Sequence, residues 1–168
     1  MASVCPFVLM LCPIGRQGII WQTILHSQGI SVIWESSDVD IRGTLAMLKS
    51  EGKILPSLLL IDTRLQKLYP YALCRWCRLN CPEVSVVLVN GSQPQVTPPE
   101  REWALSQGAI DLFPRLRQDA LISSASANAR RLLDILGCKA LDSAALVTAL
   151  FKLSQAHAPI AKIWNSAR

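Results

Sequence analysis

An aspartate closes one of the most apolar runs of the chain. In Pro56-Ser-Leu-Leu-Leu-Ile-Asp62-Thr-Arg64, four apolar residues lie between a proline and a carboxylate. That is the pattern of a strand buried on both faces of a parallel sheet. Such strands deliver their chemistry at the carboxyl end, where side chains reach solvent, and Asp62 stands there. A carboxylate in that place either caps the strand-to-loop turn or acts as an acceptor or metal ligand. A second group is Cys74, Cys77 and Cys81, whose spacing puts them on one face of a helix. The C-x-x-C-x-x-x-C pattern offers three thiolates. Zinc normally takes four ligands, and no histidine or further cysteine lies close in sequence. Packing as small buried side chains is the better-supported reading, so no metal is expected there. Arg75-Trp76-Cys77-Arg78 is the nearest approach to a basic, aromatic patch. Two arginines on a helix read as its solvated edge rather than a nucleic-acid footprint. His26 and His157 are isolated, and neither is assigned a role.

Composition bounds the classes. The 168 residues are 51% hydrophobic and 17% charged, which suits one domain with a sheet covered by helices on both faces. No apolar run reaches the roughly 18–20 residues that cross a bilayer. Met1 to Cys12 lacks a basic start, Pro6 interrupts its apolar part, and no small-residue cleavage site is evident. It reads as a first strand of a cytoplasmic protein. The net charge of +5 is mild and spread along the chain, so neither a membrane nor a nucleic-acid partner is expected.

The elements that position Asp62 alternate. Val4–Leu11 reads as a strand, Arg16–Ser27 as a helix ended by Gly29, and Ile30–Trp34 as a second strand. Ile41, Leu45 and Leu48 give a helical stripe stopped at Gly52. The Pro56–Asp62 strand is followed by a cysteine-bearing helix over Tyr71–Asn80, and Val84–Val89 is a fourth strand. A proline-rich loop leads to a helix over Glu100–Gln107 and a short strand over Ala109–Phe113. Ile122, Ala125, Ala129, Leu132, Leu133 and Leu136 recur at helical spacing until Gly137. Five strand-then-helix units in alternation imply a doubly wound parallel sheet with right-handed crossovers.

These residues resemble the receiver (CheY-like) domain of two-component response regulators, in its NarL/FixJ-like form attached to LuxR-type DNA-binding regulators. Pro13-Ile-Gly-Arg-Gln-Gly18 resembles the start of that group's first helix. Asp62-Thr-Arg-Leu through Cys81-Pro-Glu-Val84 resembles the D-x-R-M-P to P-D-V segment, and Gly108-Ala-Ile-Asp111 the entry to the fifth strand. The resemblance covers residues 4–137 and implies a flavodoxin/CheY-like sheet of order 2-1-3-4-5. It makes Asp62 the equivalent of the phosphoacceptor. It also implies a magnesium ion held by an acidic pair after strand 1, a hydroxyl after strand 4 and a lysine after strand 5.

Those partners are missing. The acidic-pair positions are Met10 and Leu11, or Cys12 and Pro13 after a small shift. The hydroxyl position is Asn90, and the lysine position is Arg115. Magnesium wants carboxylate and water oxygens. Without it, a carboxylate and the incoming phosphoryl oxygens repel each other. Glu35 and Asp38 read as loop acids, and Arg115 is a candidate to pair with Asp62 and satisfy it without any metal. The resulting expectation is a pseudo-receiver, with no enzyme activity and no cofactor. It would act through a protein partner such as a histidine kinase or a signalling or clock-type regulator. The face proposed for that contact is formed by the fourth helix, fifth strand and fifth helix and includes Trp103 and Arg115. The alternative is a genuine response regulator phosphorylated on Asp62 with magnesium. A small enzyme or ligand binder, with a site at residues 10–15, 62–65 and 90–93, is a third class, unsupported by any glycine-rich phosphate loop or nucleophile–base pair.

Val96-Thr-Pro-Pro-Glu-Arg-Glu-Trp-Ala-Leu-Ser-Gln-Gly108 also resembles the opening of a LuxR-type helix-turn-helix. No basic recognition helix follows it, so the segment is assigned to the receiver-like part. Residues 1–137 are read as that domain and 138–168 as a C-terminal helical extension. Within the extension, Asp142 or Ser143 caps a helix to about His157 with an apolar face of Leu146, Leu150 and Leu153, flanked by Val147 and Phe151. That extra helix either covers an exposed edge of its own domain or meets a partner, including a second copy in a homodimer.

Overall fold

A computed structural model describes residues 6–156 of the chain. Five parallel strands, β1 (Phe7–Leu11), β2 (Ser31–Glu35), β3 (Leu58–Asp62), β4 (Ser85–Asn90) and β5 (Asp111–Pro114), form one sheet in the order β2-β1-β3-β4-β5. The helices are α1 (Arg16–Ser27), α2 (Ile41–Ser50), α3 (Pro70–Asn80), α4 (Pro98–Ser106), α5 (Leu121–Leu136) and α6 (Ser143–Ala156). A 3-10 turn, Gln66–Leu68, lies between β3 and α3. The doubly wound α/β architecture and its order are those expected. The 96–108 segment forms α4 and enters β5, with Ala104 and Leu112 in the core.

Two cores follow from the period of the pleat. Val8, Met10, Leu58, Leu60, Val87, Val89 and Phe113 face α1, α5 and α6. Leu9, Leu11, Leu59, Ile61, Val86, Leu88 and Leu112 face α2, α3 and α4. Central β3 is buried along its whole length, which is why its sequence reads as a continuous apolar run rather than an alternation. Cys74, Cys77 and Cys81 lie in the second core, at most 1% exposed. Burial pushes the Cys74 and Cys77 thiols up to about 12.

Of the two placements left open for α6, the structure shows the helix covering its own domain. Leu146 and Leu150 are buried with Ile20, Ile24 and Ala129 in the first core, and Leu153 packs beside them. The Asp142 side chain accepts from the Ala145 backbone N–H (2.9 Å), capping the helix. Gln28, just past α1, both donates to the Asp142 carbonyl (3.2 Å) and accepts from its N–H (2.8 Å). Val147 and Phe151, on the outer side of the helix, remain exposed. His157 and the residues after it lie outside those described. No helix among the described residues is long and apolar enough to cross a membrane.

Candidate functional site

Asp62 ends β3 on the α1/α5 side of the sheet, in step with Leu58 and Leu60, and is 1% exposed. A carboxylate buried this far needs a charged or hydrogen-bonding partner. The partner is Arg64. Its Nε donates to Oδ1 at 3.0 Å and Oδ2 at 3.2 Å, and its Nη2 donates to Oδ2 at 2.7 Å. The Arg64 backbone N–H adds a bond to Oδ1 at 2.9 Å. The Leu65 N–H donates to the Asp62 carbonyl at 3.1 Å, so the chain turns immediately after the strand and folds Arg64 back over the acid. The side-chain hydrogen bonds to Asp62 raise the Arg64 pKa above its ordinary value, so the guanidinium stays charged. The candidate Arg115–Asp62 pair does not form. A side chain two residues along the same turn reaches the carboxylate first.

Gly91 leaves the space for this pair. A Cβ added there would collide with Asp62 Oδ2 and Arg64 Nε. Next to it, Asn90 is turned toward its own loop, its Oδ1 accepting from the Ser92 N–H at 3.1 Å.

On the β1 side, Met10 and Leu11 are fully buried and point into the two opposite cores. Cys12 is the position beside Asp62. Burial, reinforced by the Asp62 charge, pushes its thiol up to about 12. At neutral pH it is a protonated, inert thiol. Trp34 of β2 covers this end, its indole N–H donating to the Cys12 carbonyl at 2.8 Å. Its ring lies against Gly18 of α1, where a Cβ would clash with it. Sequence reasoning missed this contact, and a glycine in the first turns of a helix was its only signal. Asp38 is exposed and faces Lys67 at 4.0 Å, while Glu35 lies beside Ile14 and Trp34.

These residues do not fit the magnesium ion that the receiver resemblance implies. Magnesium requires an octahedral shell of oxygens. Here the Asp62 carboxylate is engaged by the Arg64 guanidinium, and the β1 residue beside it is the Cys12 thiol. Among the described residues, no group of three or more His, Cys, Asp or Glu is arranged to hold a metal.

The two residues assigned to a partner face have different surroundings. Trp103, 56% exposed on α4, lies edge-on to Tyr71 of α3, with centroids 6.4 Å apart. Arg115 is exposed and lines a cleft with Arg16 and Arg64, its backbone N–H bonded to the Gln93 carbonyl at 2.8 Å. Between these regions, buried Asp111 pairs with Arg101 of α4 (3.1 Å) and with Arg131 of α5. Arg131 also lies over the Phe113 ring, 4.8 Å from its centroid. One buried acid thus ties α4, β5 and α5 together.

Solved structures of similar fold agree with this architecture. An atypical orphan response regulator, described as having a phosphorylation-independent regulatory mechanism, matches with a TM-score of 0.58 at 13% identity. The match covers 81% of this chain and 99% of that one. The chain has the receiver fold of response regulators. A CheY-like protein, TadZ from Pseudomonas aeruginosa, matches with a TM-score of 0.50 at 18% identity, over 76% of this chain and 92% of that one. No protein-family model matches the sequence, and no curated protein matches it either.

Proposed function

We propose that this chain is a pseudo-receiver, of the NarL/FixJ-like form that its sequence resembles: a non-catalytic signalling module that works by protein contact and not by phosphorylation of Asp62. The observation that supports this most strongly is the Arg64–Asp62 pair. A phosphoacceptor carboxylate needs a free oxygen lone pair to attack phosphorus and a cation to neutralise the incoming oxygens. In this chain both Asp62 oxygens accept from Arg64, and the donor set beside them does not suit magnesium. The orphan regulator of similar fold is described as phosphorylation-independent, so receiver folds are compatible with signalling of this kind.

The partner would be a protein, and the α4–β5–α5 face is its site. Trp103, Leu105, Ile110 and Ile122 are exposed there, and the Asp111 network holds the three elements in one arrangement. Titration with magnesium and then beryllofluoride, followed by amide chemical shifts, tests the reading. Residues around Asp62, Asn90 and Arg115 are expected to show no saturable change. Saturable shifts centred on Asp62 would favour the genuine response regulator instead.

A further inference from the structure

Above the carboxyl ends of the strands is a cleft of about 760 Å³, within the range of small-molecule sites. Four arginines line it, Arg16, Arg64, Arg115 and Arg117, against one acid, Asp119. Arg64 and Arg117 are paired, with Asp62 and Asp119 respectively. Arg16 and Arg115 have no carboxylate partner among the described residues. Arg16 opens α1, whose cap residue Gly15 provides no side-chain bond and whose first turn holds no acid. The positive end of a twelve-residue helix therefore faces the same side as the arginines.

The backbone positions that carry Arg16, Arg115 and Arg117 are held together by Gln17. Gln17 donates to the Leu116 carbonyl at 3.0 Å and accepts from the Leu116 N–H at 3.0 Å. This two-way clamp fixes α1 to the β5–α5 loop and sets Arg16 next to the residues flanking Leu116, which are Arg115 and Arg117.

A second, more apolar cavity of about 580 Å³ adjoins the first and shares Arg16, Gln118 and Asp119 with it. Its apolar wall includes Ile122, Val147 and Phe151, all exposed. A site with guanidinium groups at one end and an exposed phenyl ring at the other matches a ligand with the same two parts.

We propose that this double cleft binds a nucleoside diphosphate, with the diphosphate on Arg16 and Arg115 and the base against Phe151. Guanidinium forks suit phosphate oxygens, and an exposed aromatic ring gives a base a stacking surface. The proposal holds whether or not Asp62 takes a phosphoryl group, because Arg16 and Phe151, which stand outside the receiver's phosphorylation positions, have no part in that step.

The test is isothermal titration of the full chain with ADP and, separately, with inorganic pyrophosphate. ADP is expected to bind one to one, and more weakly as salt rises. The Arg16→Ala/Arg115→Ala variant should weaken ADP at least about tenfold. Phe151→Ala should weaken ADP about fivefold and leave pyrophosphate unchanged. All three side chains are exposed, and unchanged melting curves would show that the variants fold. No binding of ADP at millimolar concentration overturns the proposal. So does binding indifferent to all three substitutions, or pyrophosphate bound as tightly as ADP, which would mean a bare anion site.

Discussion

Arg64 grips both oxygens of Asp62, with its Nη2 2.7 Å from Oδ2 and its Nε 3.0 Å from Oδ1, and Gly91 is the residue that leaves it room. The three positions should therefore behave as one unit under mutation. Gly91→Ala is expected to cost about 1–3 kcal/mol, the range for forcing an extra methyl into a filled site. Arg64→Ala should also destabilise, by roughly 1–3 kcal/mol, because it leaves a buried carboxylate with only a backbone donor. The double variant should lose less than the sum, since removing the guanidinium vacates part of the space that the new methyl needs. Denaturant melts of the four proteins give the coupling, and strict additivity would show that the close approach is not real.

The thiols set a pH limit. Cys12, Cys74 and Cys77 are held protonated in the folded chain to about 12, against an ordinary value of 9.0. The unfolded chain releases those protons near pH 9, while the folded chain keeps them. Unfolding is therefore favoured progressively as pH rises above 9. The contribution of these thiols to Tm should be steady from pH 7 to 8.5 and should fall through pH 10 and 11. In native protein these three should resist thiol reagents, and chelators should leave the melt unchanged. A stoichiometric zinc or iron content would contradict the packing role of Cys74, Cys77 and Cys81.

Helix α6 should matter to stability as a core element. Leu146→Ala and Leu150→Ala are each expected to cost about 2–5 kcal/mol, as for buried leucines elsewhere. Phe151→Ala, on the exposed outer strip, should fall within about 0.5 kcal/mol of wild type. A chain cut after Gly137 would expose the α1 and α5 residues that α6 covers. It is expected to melt well below the full chain, and equal melting would show that the α6 contact contributes nothing.

Much of the fold is legible from period and punctuation. The limits of α1 and α5 follow from the apolar spacing and the glycines at 29 and 137, and β3 from its unbroken apolar run. Helix α4 begins two residues earlier than expected. Thr97 and Glu100 form a capping box, and Pro98 and Pro99 occupy the first positions of the helix, where proline is tolerated. Taken alone, those prolines look like loop. The site was less legible. Arg64 was present in the D-x-R pattern, but its direction depends on the turn after β3 and on the absence of a side chain at Gly91, and neither leaves a periodic trace. Trp34 over Cys12 joins β2 to the end of β1 across 22 residues, and only the glycine at 18 hints at it. The arginine cleft is not legible either, because Arg16 is separated from Arg115 by about a hundred residues of sequence and is brought to it by the Gln17–Leu116 clamp.

Asp62 is closed by Arg64, and the proposed function requires that it not act as a phosphoacceptor. Intact-mass measurement after incubation with acetyl phosphate and magnesium, or with a phosphorylated histidine kinase, addresses it most directly. Wild type and Asp62→Ala are expected to give the same result, with no phosphoryl adduct on either. Arg64→Ala together with Cys12→Asp, which frees the carboxylate and restores an acid beside it, tests whether closure by Arg64 and the missing acid are the reason. A phosphoryl mass shift in wild type that disappears in Asp62→Ala would contradict the account and make the chain a working response regulator.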